Sequence, residues 1–484
     1  MKKSTRKKLF WAAFFVFLCL SVVIVLYAQG YRYDFRTSYF QKTGGIFLKI
    51  SPPNSSVVLN GKKSYIASSL VLPLLNTSSL FINNLLPKSY SLDISKENYR
   101  PLHIELRVDE QKVTAFNHVI LIKNELPLES SILNVKNPLI DGSSKKMAYF
   151  SYDQNLTGGD STSKTLSATS SLMIFDLEND SSAPINLTLN LPKNVSILDI
   201  APAAWSENGK GLLFSVSTHS KKYWFVYKEN GSSVLDITAG LQNFETKNIK
   251  AFNFDAGQDN IYFQYKNSVL RLALTKNAVS TKMVAGVKTF TLDRNYLYFL
   301  NSKNQLIQSD FNGKNQSVLA SLNFDLKNPK LIVNSQKSFP DILDEGYNFY
   351  VWQKDIKSFN GIAPFAQNVF PSFDGSLYAI TSSEYTYIYA NKDLDEQPFW
   401  KEGFLWAIKN LGGIAPQNLI WFYDNYHLIF QSQNNLFLSS IDERGGKQME
   451  SILENTAVEK IFSPEKSSDI YILIKNQIFK MGLI

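Results

Sequence analysis

Cysteine and histidine are scarce in this chain, which has one cysteine and four histidines in 484 residues. A single cysteine excludes an internal disulfide framework and any zinc site built on cysteine ligands. The four histidines leave little material for a metal cluster; they are His103, His118, His219 and His427. We therefore expect no resident metal and no cofactor.

Motifs for catalysis or phosphate binding are missing or incomplete. The chain has no G-x-S-x-G elbow, which argues against a serine hydrolase. The segment 158–165 approaches a phosphate-binding loop, but Ser163 stands where that loop requires glycine, so we interpret the segment as a surface loop. The segment 310–313 begins like a calcium loop, but no bidentate glutamate follows at the twelfth position. A hairpin turn is the simpler interpretation there.

The remaining polar clusters have structural explanations. Asp393, Asp395 and Glu396 stand in a polar turn, where we expect a solvated surface. His219 precedes two lysines in a turn, and His427 lies beside an aromatic strand, each without a second histidine nearby in the sequence. We assign no catalytic, cofactor-binding or metal-binding residue.

The positive charge is concentrated at the N-terminus. The formal net charge is +8, and five of these charges lie within the first eight residues, on Lys2, Lys3, Arg6, Lys7 and Lys8. A nucleic-acid surface requires basic residues gathered on one face of a folded domain. Because the dense cluster precedes an apolar segment instead, we expect no nucleic-acid partner.

The segment 9–28 is uncharged and long enough to cross a bilayer. Basic residues precede it and tyrosines follow it, as the positive-inside rule and an interfacial aromatic belt predict. We therefore predict a cytoplasmic tail (1–8), a membrane-spanning helix (9–28) and an extracytoplasmic remainder. A signal peptide cleaved after Gly30 is the alternative, although the apolar run exceeds the usual length of such a signal. Leu18 before Cys19 does not fit a lipoprotein signal.

A small β domain is predicted over residues 45–123. An apolar strand at 45–51 ends in Pro52-Pro53, and Asn60-Gly61 is a strong hairpin signal. Further strands are predicted around 85–94, 103–108 and 113–122. The order of these motifs resembles the PEGA domain, with Pro53-Asn54-Ser55-Ser56 at the position of the signature tetrapeptide. The resemblance implies a small β-sandwich in a membrane-attached bacterial surface protein, and no chemistry.

Residues 131–484 carry a repeated pattern of an acidic turn followed by an apolar and aromatic strand. The richness in Phe and Tyr also favours β structure. The acidic markers stand at 141, 207, 255, 293, 374, 424 and 465. One interval is about twice the 40–45 residues of a four-stranded blade, so we expect a degenerate copy near 343–346. A strand around 132–135 is expected to complete the last blade.

The clearest copy, at 203–215, resembles the propeller repeats of the TolB-like group, with Glu207-Asn208 at the usual Pro-Asp position. The fold prediction is therefore all-β after one N-terminal transmembrane helix. A PEGA-like β-sandwich precedes a seven- or eight-bladed β-propeller.

These features predict a single-pass, membrane-anchored binding or scaffold protein of the cell envelope rather than an enzyme. The expected partners are the membrane and either envelope proteins or cell-wall glycan. The alternatives are a hydrolase or lyase that acts on glycans or peptides, with carboxylates gathered at the propeller axis, and a structural component of a surface assembly. An exposed apolar patch on one face would favour the assembly.

Overall fold

The computed structural model describes the chain except for residues 1–2, 36–37, 68–77, 143, 152–170, 186–196, 220, 230–232, 246–247, 278, 335, 338–339, 354–355 and 447. Its first element is helix α1 (Lys3–Ala28), which includes part of the basic segment predicted as a tail. Within this helix, 9–28 is long and apolar enough to cross a membrane, a property that a signal sequence near the N-terminus shares. A hairpin that the sequence did not reveal follows at once, made of β1 (Tyr31–Asp34) and β2 (Tyr39–Lys42).

Two small sheets form the next domain. Its strands are β3 (Gly44–Ser51), β4 (Ser56–Leu59), β5 (Lys63–Ile66), β6 (Ser78–Leu85), β7 (Lys88–Ser95), β8 (Leu102–Val108) and β9 (Val113–Ile120). One sheet has the order β6-β3-β9, with β3 and β9 parallel, and the other has the order β5-β4-β7-β8. Alternating apolar residues of both sheets meet in one buried core. The predicted hairpin over Asn60-Gly61 is present between β4 and β5.

The strands described after residue 128 form eight four-stranded antiparallel sheets. The first of these strands in the chain, β10 (Glu129–Ile132), belongs to the eighth sheet. Sheets 1 to 4 comprise β11 (Val135–Ile140), β12 (Lys146–Ser151), β13 (Ser171–Asp176) and β14 (Ser181–Pro184); β15 (Ile197–Trp205), β16 (Gly211–Thr218), β17 (Lys222–Lys228) and β18 (Ser233–Asp236); β19 (Ile249–Phe254), β20 (Asn260–Tyr265), β21 (Ser268–Ala273) and β22 (Thr281–Ala285); and β23 (Val287–Leu292), β24 (Leu297–Asn301), β25 (Gln305–Ser309) and β26 (Ser317–Ser321).

Sheets 5 to 8 comprise β27 (Pro329–Ile332), β28 (Asp341–Asp344), β29 (Asn348–Gln353) and β30 (Ser358–Pro364); β31 (Asn368–Pro371), β32 (Leu377–Thr381), β33 (Tyr385–Ala390) and β34 (Leu405–Lys409); β35 (Gln417–Trp421), β36 (His427–Ser432), β37 (Asn435–Ser440) and β38 (Met449–Leu453); and β39 (Lys460–Phe462), β40 (Asp469–Ile474) and β41 (Gln477–Gly482) with β10. Helix α2 (Thr238–Leu241) links sheets 2 and 3.

The sheets follow one another around a closed ring, which is the architecture of a β-propeller. In each sheet the strands are named A to D from the inner edge outwards, so that β11, β15 and β39 are A strands. Neighbouring A strands contact one another, for example β11 with β15 and β35 with β39. Sheet 8 returns to sheet 1, because Lys460 Nζ donates to the Pro138 carbonyl (3.0 Å) and Tyr471 donates to the Leu177 carbonyl (3.1 Å).

Apolar side chains fill the space between adjacent sheets. Leu213 and Val226 of sheet 2, for example, share one cluster with Ile261 and Phe263 of sheet 3. The strand B sequences supply most of this material, since they are nearly continuous apolar runs buried on both faces. Each strand B is therefore covered on both sides by neighbouring sheets.

All seven acidic markers of the repeat lie at the corner between strands A and B, and most of their carboxylates cap the turn. Asp141 accepts from the Lys145 and Lys146 amides, and Asp255 accepts from the Asp259 and Asn260 amides. The copy expected near 343–346 is displaced, because that segment is the turn between strands B and C of sheet 5. Its A–B corner is the segment 333–340, which lacks the acidic marker.

The strand that completes the last sheet lies slightly earlier than expected. Strand β10 covers Glu129–Ile132 and pairs antiparallel with β41, whereas Val135 already begins sheet 1. Residues 129–131, polar in sequence, therefore belong to a strand. Strand β6 was not expected from the sequence. The segment 155–170, which is rich in glycine, serine and threonine, was interpreted as an insertion in the repeat and lies outside the described residues.

Candidate functional site

The small β domain packs on one face of the ring. The A–B turns and C–D loops form this face, called here the AB/CD face, and the B–C turns and D–A loops form the opposite BC/DA face. Gln397, in the C–D loop of sheet 6, accepts from the Ala115 amide and donates to the Val113 carbonyl, both at 2.9 Å. Arg444, in the C–D loop of sheet 7, donates to the Ala115 carbonyl (3.0 Å). Strand β9 is thus held by two loops of the ring.

A buried histidine lies at the centre of this junction. The His118 ring stacks on Tyr426 with centroids 3.5 Å apart and an interplanar angle of 10°. Its Nδ1 lies 4.0 Å from the Asp424 carboxylate, and its Nε2 lies 3.5 Å from Glu396. Asp424 also accepts a 2.7 Å hydrogen bond from His427 Nδ1 when that nitrogen is protonated. Two histidines distant in the sequence therefore face one carboxylate.

Burial decides the protonation of this group. Removal from water lowers the pKa of His118 to about 4, and the attraction of Asp424 offsets only part of the effect. Burial alone would raise the pKa of Asp424, but the charge and hydrogen bond of His427 hold it below its ordinary value. At neutral pH, His118 is therefore an uncharged ring clamped between Tyr426 and two carboxylates.

Contacts with sheets 7 and 8 extend the junction. Arg100 donates to the Ser451 carbonyl (2.6 Å) and lies 3.7 Å from Glu450. The Lys123 amide donates to the Leu483 carbonyl (3.1 Å), and Ile122 is buried among apolar residues of sheets 7 and 8. These contacts also involve the AB/CD side of the ring. Among the described residues, the hydrogen bonds between the small domain and the ring lie on the AB/CD side, and the small domain does not cover the BC/DA face.

The BC/DA face carries a cleft of about 580 Å³ between sheets 6 and 7. Amides and small or apolar groups line it: Gln367, Asn368, Phe370, Ser383, Gly413, Ile414, Ala415, Pro416, Gln417 and Asn418. Exposed apolar side chains stand near it in the ring, since Phe365 is 66% and Ile414 is 53% exposed. The Phe365 amide donates to the carbonyl of Tyr347, which is 55% exposed. The cleft is thus flanked by exposed apolar groups.

Local backbone conformation shapes the cleft. Asn418 has φ +49°, and its side-chain amide donates to Gln431 (2.9 Å) and to the Val458 carbonyl (3.4 Å). Gly413, at φ +66°, lets the D–A loop turn without the strain that a side chain would meet there. None of the described lining residues has an acidic or basic side chain. The arrangement suits recognition by hydrogen bonds and apolar contact rather than proton transfer.

The structure places the residues considered in the sequence as follows. The segment 310–313 is a C–D turn in which Asp310 accepts from the amides of Asn312 and Lys314. Glu396 is half exposed, in keeping with a solvated turn, and its carboxylate also accepts from Asn117 (2.9 Å) and faces His118. His427 is structural, as interpreted, but His118 lies on the far side of its carboxylate partner. The segment 158–165 lies outside the described residues.

Neither a family model nor a curated protein sequence matches the chain. The chain is similar in structure to the β-propeller domain of Cps50 (Swd1) from Myceliophteria thermophila, with 8% sequence identity and a TM-score of 0.38 over 74% of this chain and 100% of that one. It is also similar to the Dos1 propeller, with 11% identity and a TM-score of 0.44 over 74% and 95% of the two chains. These likenesses concern the fold alone.

Proposed function

We propose that this protein is a single-pass, membrane-anchored binding scaffold of the cell envelope, with a cytoplasmic N-terminus and an extracytoplasmic bulk. Residues 1–8 form its tail and 9–28 its membrane anchor. Residues 45–123 form a PEGA-like β-sandwich, and 131–484 form an eight-bladed β-propeller that recognises an envelope protein or cell-wall glycan. The observation that carries this proposal is the attachment of the sandwich to the AB/CD face, which leaves the cleft on the BC/DA face accessible.

The N-terminal elements support an uncleaved anchor. The Arg32 guanidinium lies 3.4 Å above the Tyr27 ring and donates to the Tyr27 carbonyl, so the helix end and the hairpin are joined. Arg32 also donates to Asn84 of β6 (2.8 Å). Exposed aromatic groups surround this point: Tyr33, Phe35, Tyr39 and Phe40. Aromatic side chains in this position suit the boundary between lipid and water.

The same geometry favours binding over the enzymatic alternative. Glycan hydrolysis requires two carboxyl groups about 5–10 Å apart in a pocket. The described lining of the BC/DA cleft offers amides, one hydroxyl and apolar groups instead. An amide-rich cleft with exposed apolar neighbours is suited to holding a polar ligand or a protein segment.

Photo-cross-linking in intact cells tests the proposal. A benzophenone amino acid is introduced at Phe365 on the BC/DA face or, as the control, at Tyr296, which is 41% exposed in the A–B turn of sheet 4. We expect adducts with an envelope protein or with cell-wall material from position 365 and few from position 296. Equal capture from both faces would contradict a recognition role for the BC/DA face.

Protease added to the same intact cells tests the topology. We expect cleavage of the sandwich and propeller to fragments, with a short membrane-embedded remnant. Full protection in intact cells, together with cleavage after permeabilisation, would contradict an extracytoplasmic propeller.

A further inference from the structure

Charged residues in the inner strands of the ring are nearly all lysines. The eight A strands contain five lysines, one aspartate and no arginine. Every one of these charges lies within the first three residues of its strand, next to the preceding D–A loop: Lys136, Asp199, Lys250, Lys288, Lys330 and Lys460. Because all A strands begin at the BC/DA face, these lysines lie at the mouth of the ring on that face, on the strands of sheets 1, 3, 4, 5 and 8.

Three of these lysines have acidic neighbours in exposed or half-exposed positions. Lys136 lies 3.1 Å from Asp199 of the next inner strand, and its side chain is 48% exposed. Lys330 lies 2.6 Å from Glu345, which stands in the B–C turn of its own sheet. Lys288 donates to Asn304 (2.6 Å), with Asp325 at 3.9 Å. Solvent-exposed pairs of this kind are weak, so a ligand anion can replace the carboxylate.

Lys250 and Lys460 form no ion pair with an acidic residue in the described part of the chain. Lys250 is exposed, and Lys460 donates to the Pro138 carbonyl across the closure of the ring. A backbone carbonyl neutralises no charge. The mouth therefore retains positive charge that its own acidic residues do not balance.

The residue types indicate the class of anion. Lysine ammonium groups bind phosphate as point charges, whereas arginine favours bidentate recognition of a single carboxylate or phosphate. Single lysines spaced one to a strand therefore suit an anion whose charges repeat along a polymer. The inner strands of sheets 6 and 7 carry Asn368, Gln417 and Asn418 in place of lysine, and these residues line the cleft. One side of the mouth thus offers charge, and the other offers hydrogen bonds to hydroxyl groups.

We propose that the mouth of the ring on the BC/DA face binds a linear envelope polymer that carries repeated phosphate groups, with its hydroxyl-bearing units in the cleft between sheets 6 and 7. This inference rests on the proposed function and specifies the ligand of the same face. Association strengthens as each lysine replaces bound counterions, so the affinity falls steeply with added salt.

Fluorescence anisotropy with labelled inorganic polyphosphate tests the inference, using the full-length protein in detergent. We expect saturable binding that weakens with salt. The variant K250Q/K460Q should bind at least about tenfold more weakly, the size expected for the loss of charge-assisted contacts. The variant K250R/K460R should bind nearly as well as the native protein, because it keeps both charges.

The matched control is K276Q/K466Q, which removes two exposed lysines from the AB/CD face. We expect this variant to bind polyphosphate like the native protein. Equal weakening in both glutamine variants, or no polyphosphate binding by the native protein, would overturn the inference. Tighter binding to polyglutamate than to polyphosphate would also overturn it, since the class of anion would be wrong. If the protein does not bind polyphosphate as expected but position 365 still gives specific cross-links, the ligand class is wrong and the proposed function is retained.

Discussion

Asp424 serves two structural purposes at once. It caps the A–B turn of sheet 7 by accepting from the Tyr426 and His427 amides, as its counterparts do in other sheets. It also pairs with His427 and faces His118 from the small domain. A residue conspicuous in the sequence as a turn former is therefore part of the junction between two domains.

His118 makes this junction sensitive to pH. Its pKa is about 4 in the docked state and near 6.5 when the ring is exposed to water, so the undocked state binds the additional proton between these values. Docking of the small domain on the propeller is strongest above pH 6.5. The free energy of docking becomes less favourable as the pH falls towards 4, by about 3 kcal/mol in total. Asp424, Glu396, His427 and Lys49 are the charged or titratable groups that face the ring.

The measurement is limited proteolysis of the segment 124–128 as a function of pH. We expect faster cleavage between pH 6.5 and 4 in the native protein and a flat response in H118F, which preserves a ring for stacking on Tyr426. A native profile that is unchanged over this range would contradict the role of His118. The variant H103F is the control, because His103 is exposed and lies away from the junction.

Strand β10 is the element that closes the ring. It is short, and Ile132 is its one buried residue, packed between sheets 8 and 1 at 8% exposure. The strand pairs with β41 through residues 129–132, with one irregularity in register. Closure by an N-terminal strand ties the two ends of the propeller sequence together, so the ring does not depend on contacts between sheets alone.

Substituting Ile132 by aspartate should weaken the pairing of β10 with β41. The change removes about 2–3 kcal/mol of apolar burial and places a carboxylate among buried side chains. Hydrogen exchange should accelerate in β41, at Ile478 and its neighbours, while sheet 4 retains its protection. The control S130D adds the same charge at an exposed position of the same strand. Equally accelerated hydrogen exchange of β41 in both variants would show that the added charge, and not the lost packing of Ile132, weakens the closure.

Local signals made most of the elements predictable. Turn-forming acids and apolar B strands repeat along the propeller, and the Asn60-Gly61 hairpin is determined by adjacent residues. Sheet 5 was displaced in the prediction because its A–B corner replaces the capping acid with an ion pair between Lys337 and Asp341 (2.6 Å). Strand β6 was missed because Phe81 is exposed and the strand lacks regular alternation. The site at His118 gave no signal, since its partners come from another domain.

At the scale of the whole molecule, one arginine connects the two domains through several groups. Arg444 donates to Gln397 (2.7 Å) and to the Ala115 carbonyl, and it pairs with the buried carboxylate of Asp442 (2.6 Å). It therefore joins the C–D loops of sheets 6 and 7 to strand β9. These polar contacts help to set the orientation of the propeller relative to the small β domain.

The substitution R444A should loosen this orientation. It removes three hydrogen-bonded connections and leaves Asp442 without its cation, at a cost of about 2 kcal/mol to docking. Distances between spin labels on the two domains should broaden in R444A. The control R294A removes an exposed arginine that pairs with Glu207 far from the junction, and its distance distribution should match the native one. If the distance distribution does not broaden in R444A, contacts other than those of Arg444 hold the two domains together.

The position of β10 also has a mechanical consequence. Under the proposed function, a pull on a bound ligand would be resisted at the membrane, and the force would travel along the chain from the anchor through the small domain to residues 123–128. The first propeller strand to receive that load is β10, held to β41 by backbone pairing. The docked junction shares the load while it is intact. Once the junction between the domains breaks, tension would act directly on the pairing of β10 with β41. Sustained pulling would therefore separate the strands of sheet 8 before the other seven sheets are strained.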